Sequence, residues 1–197
     1  MALRKATAYS KKRVRPYTRR SRSRQKAYIK TVPGVKIVKY HMGNVKAYQE
    51  GKHLYNVRLI TEEKVQIRDN ALEACRMFVN KILDKKALGQ FYFAVKIYPH
   101  HILRENKTAA GAGADRLSSG MKHSFGVAIG RAAIANAGKE ILFVSCENEK
   151  TARIARDVLT HVKAKIPSRT RIIFEKVSAS AQLPQLQSTQ EAIVEEI

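Results

Sequence analysis

Acid is scarce in this chain of 197 residues. Asp and Glu total 16 against 38 Lys and Arg, and the first 30 residues contain no acid at all. The formal net charge of +22 favours a polyanion as partner, because each neutralised phosphate releases a condensed counterion. An acidic membrane surface is the competing partner for such a charge. Cysteine is nearly absent. Cys75 and Cys146 make neither a disulfide framework nor a zinc site, and a reducing cytoplasm fits them best. No apolar run approaches the roughly 20 residues of a membrane span. The basic opening MALRKATAYSKKR lacks the apolar stretch of a signal peptide.

Signatures of catalysis are missing too. The string GAGADR from Gly111 to Arg116 departs from GxGxxG at its sixth position, and no strand feeds directly into a helix there. No glycine-lysine-serine/threonine string marks a P-loop. His100 and His101 are adjacent, so on extended chain they point to opposite faces, and no HExxH or Cys pair supports a metal. A histidine there reads as a hydrogen-bond donor or a stacking group. No nucleophile has an evident base, and Asp115 has no carboxylate mate. No cofactor, metal or small-molecule substrate is expected.

What is present is base, unevenly placed. Twelve Lys or Arg fall in residues 1–30. They include Arg4, Lys5, Lys11, Lys12, Arg13, Arg15, Arg19, Arg20, Arg22, Arg24 and Lys26, all candidate phosphate contacts. Tyr9, Tyr17 and Tyr28 are interleaved, which suits stacking on bases or riboses. With few large aliphatic residues, the segment reads as an arm that stays extended until an anion meets it. Residues 178–197 carry three Glu and no base, and read as a flexible acidic tail without chemistry.

Residues 31–177 read as one α+β domain. Val35–Tyr40 is strand-like and ends at the turn signal Gly43-Asn44. Leu54–Ile60 alternates as a half-buried strand. A helix follows, capped by Asp69 or Asn70, with Ala71, Cys75, Phe78 and Ile82 on its stripe and Gly89 placed to stop it. Phe91–Tyr98 alternates as a further strand. Ile141–Cys146 is continuously apolar, the pattern of a strand covered on both faces. Asn148 is placed to cap a helix ended by Pro167, and Arg171–Val177 closes as a strand. Two amphipathic helices on one face of a mixed, largely antiparallel sheet are expected.

Between Pro99 and Gly138 the periodicity fades, and six of the chain's ten glycines fall there. This stretch reads as a functional loop. Its small residues, Gly111, Gly113 and Gly120 among them, permit close approach to a phosphate or ribose. Arg104, Lys107, Arg116, Lys122 and Arg131 punctuate it, with His100, His101 and His123.

Several strings together resemble one family: the universal large-subunit ribosomal protein L-sixteen, in its archaeal and eukaryotic form L-ten-e. They are Arg15-Pro-Tyr-Thr-Arg19, Val32-Pro-Gly-Val-Lys-Ile37, Gly43-Asn44, Val65–Ala74, and Ala164–Arg169 followed by Ile172-Ile173. The central block is the most specific: Pro99, His101, Arg104, Asn106, Lys107, Gly113-Ala-Asp-Arg-Leu117, Gly120-Met121 and Phe125-Gly126. The resemblance runs from about residue 9 to residue 177. It implies a non-catalytic protein of the cytoplasmic ribosome with a hammerhead-like α/β arrangement. It implies as partners large-subunit rRNA through the arm, tRNA through the loop, and neighbouring ribosomal proteins, with no membrane. His101, Arg104, Lys107, Gly111, Gly113, Asp115, Arg116, Gly120, Lys122 and Arg131 then become candidates for the tRNA-facing loop. After Phe125-Gly126 the family's usual Lys-Pro and a later Arg are replaced by Val127, Ala128 and Ile134. The other readings are a free-standing RNA- or DNA-binding protein and an RNA-modifying enzyme, the latter without a visible site.

Overall fold

The computed structural model describes residues 5–10, 15–106 and 126–177. In chain order the elements are β1 (His41–Gly43), α1 (Val45–Gln49), β2 (Tyr55–Thr61), β3 (Val65–Arg68), α2 (Asp69–Lys86), β4 (Phe91–Val95), β5 (His101–Glu105), β6 (Val127–Ala135), β7 (Glu140–Cys146), α3 (Glu149–Val162), a 3-10 turn (Lys163–Lys165) and β8 (Thr170–Lys176). They form a five-stranded sheet in the order β1-β4-β7-β2-β8 and a three-stranded sheet in the order β3-β6-β5. Every neighbouring pair is antiparallel. The expected α+β architecture is present, built from two sheets rather than one.

The core lies between α2, α3 and the two sheets. Strand alternation sends Val57, Leu59, Phe91, Phe93, Val95, Leu142 and Val144 to the helix side. There they meet Leu72, Cys75, Val79 and Leu83 of α2 and Ala152, Ala155, Val158, Leu159 and Val162 of α3. Val65, Ile67, Ala133 and Ala135 of the smaller sheet close the same core. The opposite face of β4 and β7 is covered as well, by Val45 and Tyr48 of α1 over Tyr92, Ala94 and Phe143. That second cover explains why β7 is apolar on both faces. Pro167 ends the second long helix as expected: Ile166 before it is extended, at φ −104° and ψ 133°.

Three local expectations need correction. Val35–Tyr40 is not a strand. It runs along α2, where Lys36 N donates to Asp69 Oδ2 at 3.2 Å and Val38 N donates to Glu73 Oε2 at 3.3 Å. Carboxylates of the helix take the amides that a ladder partner would have taken. Asp69 and Asn70 therefore lie inside α2, and the residue before it is Arg68, which makes no side-chain cap bond. Asn148 does precede α3, but its side chain makes no cap bond.

The third correction concerns Pro99–Gly138. The stretch contains β5 and β6, paired from His101↔Ala132 to Glu105↔Val127 with an irregularity at Leu103/Arg104. Alanine and glycine are poor strand formers by propensity. Here small side chains are required because β6 is the middle strand, covered from both sides. Ala132, Ala133 and Ala135 are at most 1% exposed.

Candidate nucleic-acid interface

The three-stranded sheet has two open edges, β3 and β5. The N-terminal segment grips both. At β3, Gln66 N donates to Ser10 O at 3.2 Å, and Gln66 Nε2 donates to Tyr9 O at 2.7 Å. Arg68 donates to Lys5 O at 2.6 Å and its guanidinium lies 5.8 Å from the Tyr9 ring centroid. At β5, Ile102 N donates to Tyr17 O at 2.8 Å, Tyr17 N donates to His101 Nδ1 at 2.7 Å, and the Arg104 guanidinium stacks 3.8 Å from the Tyr17 ring. Arg68, Ala132 and His101 form one row across the sheet.

On either side of Tyr17 the arm turns its bases outward. Arg15, Arg20, Arg22, Arg24 and Lys26 are exposed, and Arg19 is half-buried with its guanidinium on Arg22 O at 2.9 Å. Arg20 lies 5.6 Å from the Tyr28 ring and donates to its hydroxyl at 3.3 Å. Lys30 Nζ holds Arg24 O at 3.1 Å and also Gln25 O. Ala27 and Ile29 are buried, which roots this half of the arm. Among the described residues, none of these six bases takes part in an ion pair. Several carboxylates of the body pair with bases of the body: Arg58 bridges Glu140 and Glu175, Arg76 holds Glu73, and Arg153 holds Glu149.

A further aromatic surface stands next to the β5–β6 hairpin. Tyr40 and Tyr98 stack at 5.6 Å, and Tyr98 meets His100 at 4.5 Å. Tyr98 is 42% exposed. Burial, with Tyr98 beside it, pushes the Tyr40 hydroxyl up to about 12, while Arg131 opposes that rise. Such rings offer flat faces to unpaired bases. The two thiols are chemically quiet: burial raises Cys75 to about 12 and Cys146 to about 11.

A sequence profile described as ribosomal protein L16p/L10e matches residues 12–173. The chain belongs to this family. A large ribosomal subunit protein uL16 of Staphylothermus marinus is 43% identical over 176 residues, covering 89% of this chain and 95% of that one. One of Sulfolobus acidocaldarius is 42% identical over 184 residues, covering 92% and 98%. One of Methanosphaerula palustris is 41% identical over 162 residues, covering 82% and 87%. As an L16p/L10e protein the chain is a structural ribosomal protein and not an enzyme.

Several strings that carry the family resemblance have a folding reason. Gly43 sits at φ +82°, where an added Cβ would stand 2.3 Å from Phe91 O, and Asn44 caps α1 by accepting from Ala47 N at 3.0 Å. Val65–Ala74 is β3 running straight into α2. Gly126, at φ +83°, brings its backbone against Glu105 and Asn106 at the base of the hairpin.

The candidate residues divide. Arg4, Lys11, Lys12, Arg13, Lys107, Gly111, Gly113, Asp115, Arg116, Gly120 and Lys122 lie outside the described residues. Arg15, Arg20, Arg22, Arg24 and Lys26 face outward, and Lys5 is also exposed. His101 is not on an open loop. It is 4% exposed and accepts, rather than donates, a hydrogen bond from the arm. Tyr17 is likewise turned inward, under Arg104. Arg131 belongs to β6 and ties it inward, donating to Pro33 O at 2.7 Å and Tyr98 Oη at 3.4 Å. The Tyr40–Tyr98–His100 stack was missed because Tyr98 reads as the end of a strand that stops at Val95. The adjacent Pro99 was the available signal.

Proposed function

We propose that this L16p/L10e protein is a constituent of the large ribosomal subunit, in the cytoplasm, that binds large-subunit rRNA through its arm. The observation that carries this reading is the outward fan of Arg15, Arg20, Arg22, Arg24 and Lys26 on a segment whose root is tied to the fold. Phosphates attract these cations without competition from internal carboxylates. Arg4, Lys5, Lys11, Lys12, Arg13 and Arg19 belong to the same proposed contact. The name shared by the relatives, large ribosomal subunit protein uL16, supports the assembly. Neighbouring ribosomal proteins are the other proposed partners.

The finer proposal is that the segment between β5 and β6 meets tRNA near the peptidyl-transferase region. Lys107, Arg116 and Lys122 would meet phosphates there, with Gly111, Gly113 and Gly120 permitting close approach and Asp115 among the same candidates. The family resemblance of this block supports that reading.

Sedimentation tests the assembly. The protein is expected in stoichiometric amount in the large subunit after sucrose-gradient separation at low salt. Recovery only in the free fraction, or on bulk nucleic acid, would overturn the reading in favour of a free-standing RNA- or DNA-binding protein. Affinity for duplex RNA is expected to fall with salt at a log–log slope near −5 for about six phosphate contacts. A flat salt dependence would refute the electrostatic account. Replacing Arg116 and Lys122 is expected to harm translation while leaving bulk RNA affinity almost unchanged; unaltered translation would remove the tRNA proposal.

A further inference from the structure

We infer that the start of the arm is an internal strap, and that Tyr17 and His101 are positioning residues that fix the β5–β6 hairpin. This rests on the ribosomal reading only for its consequence in translation; the contact itself stands on the geometry of the chain.

Tyr17 gives both backbone groups and its ring to β5. Its N–H goes to His101 Nδ1 at 2.7 Å, its C=O takes Ile102 N–H at 2.8 Å, and its ring lies 3.8 Å from the Arg104 guanidinium. Three groups of one strand, from His101, Ile102 and Arg104, thus converge on one arm residue. The other end of the strap is held on β3, where Gln66 N and Nε2 donate to the carbonyls of Ser10 and Tyr9 and the Arg68 guanidinium lies 5.8 Å from the Tyr9 ring. Tyr9 is held there at φ 65°, a conformation costly for a bulky residue and kept only where its surroundings dictate it. β3 and β5 are two strand spacings apart, roughly 10 Å. The seven steps from Ser10 to Tyr17 reach up to about 23 Å, so one chain serves both edges.

The strap also does what an edge requires. Unpaired strand edges invite foreign pairing, and here Gln66 N and Ile102 N both point at arm carbonyls. Between them lies Ala132 of β6, at 0% exposure and paired with both Arg68 and His101. β5 leads into the glycine-rich segment and β6 leads out of it, with Gly126 closing the stem against Glu105. A fixed β5 therefore gives that segment a fixed root. It also joins the root covalently, within a few residues, to the outward bases Arg15 and Arg20. Anchoring the arm on RNA sets the direction of the hairpin.

Two pairs of variants separate positioning from bulk stability. His101→Phe keeps the volume but removes the acceptor, whereas His101→Asn returns an acceptor oxygen close to the place of Nδ1. Tyr17→Ala removes the ring, whereas Tyr17→Phe keeps the face that Arg104 uses. Amide exchange of Ile102 in the full chain reads the clamp. His101→Phe and Tyr17→Ala are expected to speed it by about ten- to thirtyfold, the factor for losing one hydrogen bond or one desolvated cation–π contact. Asn and Phe at the respective positions are expected to restore protection, and amides of β7 are expected to stay unchanged in all four. Equal exchange at Ile102 in every variant would overturn the inference. So would loss of β7 protection in step with Ile102, which would mark a general loss of fold.

The consequence is read in ribosomes. His101→Phe is expected to enter large subunits as the unmodified chain does and to slow translation several-fold, with recovery in His101→Asn. Normal entry and normal translation for His101→Phe would refute the positioning role while leaving the ribosomal reading intact. Absence of the unmodified chain from large subunits would refute the ribosomal reading and leave the exchange result to decide the clamp.

Discussion

Replacing Gly43 by alanine tests the packing of the larger sheet at its tightest point. Gly43 pairs with Tyr92, and its φ of +82° lies in the left-handed region. A Cβ there would stand 2.3 Å from Phe91 O and 3.1 Å from both its carbonyl carbon and ring Cδ2. Phe91 cannot retreat. It is 1% exposed, pairs with Cys146 on its other side, and its carbonyl accepts Asn44 N at 2.8 Å. The left-handed backbone costs about 1–2 kcal/mol, the forced displacement about 1–3 kcal/mol, and a broken Asn44–Phe91 bond about 1 kcal/mol. At about 2–4 °C per kcal/mol for a chain of this size, Gly43→Ala is expected to melt about 6–24 °C lower. Gly138 supplies the control, because its φ is +80° but nothing lies within 4 Å of the added Cβ. Gly138→Ala is expected to lose only the conformational part, about 1–2 kcal/mol. Gly34 is open and needs no positive φ, so Gly34→Ala is expected to be neutral or to gain a few tenths of a kcal/mol, roughly, through the unfolded chain. Urea unfolding of the three variants, followed by far-UV circular dichroism, measures the differences. Gly43→Ala no less stable than Gly138→Ala would refute the close-approach reasoning.

Other outcomes follow from buried titratable groups. His53 is fully buried, and burial holds its imidazole below the ordinary 6.5 although Glu147, 3.9 Å away, pulls it up. Above pH 6.5 both folded and unfolded forms leave it neutral. As pH falls below 6.5 the unfolded chain takes the proton first, so stability is expected to decline from there toward the lower folded value. His53→Gln is expected to flatten that slope in urea midpoints measured from pH 7 to pH 5; an unchanged slope would discard His53 as its source. Glu73, held below the carboxylate range by its bond to Arg76 and the amide of Val38, acts in the same direction but in a lower window. Its stabilisation is present above about 4.5 and is lost as pH falls further, so Glu73→Gln is expected to lower urea midpoints at neutral pH and to flatten their fall below about 4.5; an unchanged acid limb would discard Glu73 as its source. Cys75 and Cys146, both 0% exposed with thiols raised to about 12 and 11, are expected to resist a thiol reagent at pH 8 in the folded protein and to react fully in denaturant. Ready labelling of the native chain would contradict their burial.

Where one local pattern decides an element, the sequence is sufficient. Ile141–Cys146 is apolar on both faces because α2 and α3 cover one side of β7 and α1 covers part of the other. The stripe from Ala152 to Val162 becomes α3 with its buried residues in the expected places. The failures share a different cause. Val35–Tyr40 has the composition of a strand, but Asp69 and Glu73 of α2 take its amides. β6 has the composition of a loop, but its alanines fit a strand closed in from two sides. Both outcomes depend on residues more than 30 positions away, and no window of periodicity contains them. The same holds for the site. Outward bases on the arm were legible from composition, whereas the inward turn of Tyr17 and His101 depends on a contact across 84 positions.

Net charge therefore overstates how much of the arm is offered to a partner, and understates what the arm does. The string Arg15-Pro-Tyr-Thr-Arg19 serves two surfaces at once. Arg15 points to solvent, while Tyr17 between the two arginines faces β5. Pro16 fixes its own φ and disfavours helix at Arg15, which suits an extended chain entering its contact with β5. A uniformly flexible arm would need none of this; charge alone would do. The structure instead gives the arm a rigid root shared with the stem of the hairpin. For that reason, truncation before Arg15 and truncation after Tyr17 are different experiments. The first removes bases and the β3 contacts, whereas the second also removes the Tyr17 contacts to His101, Ile102 and Arg104 of β5.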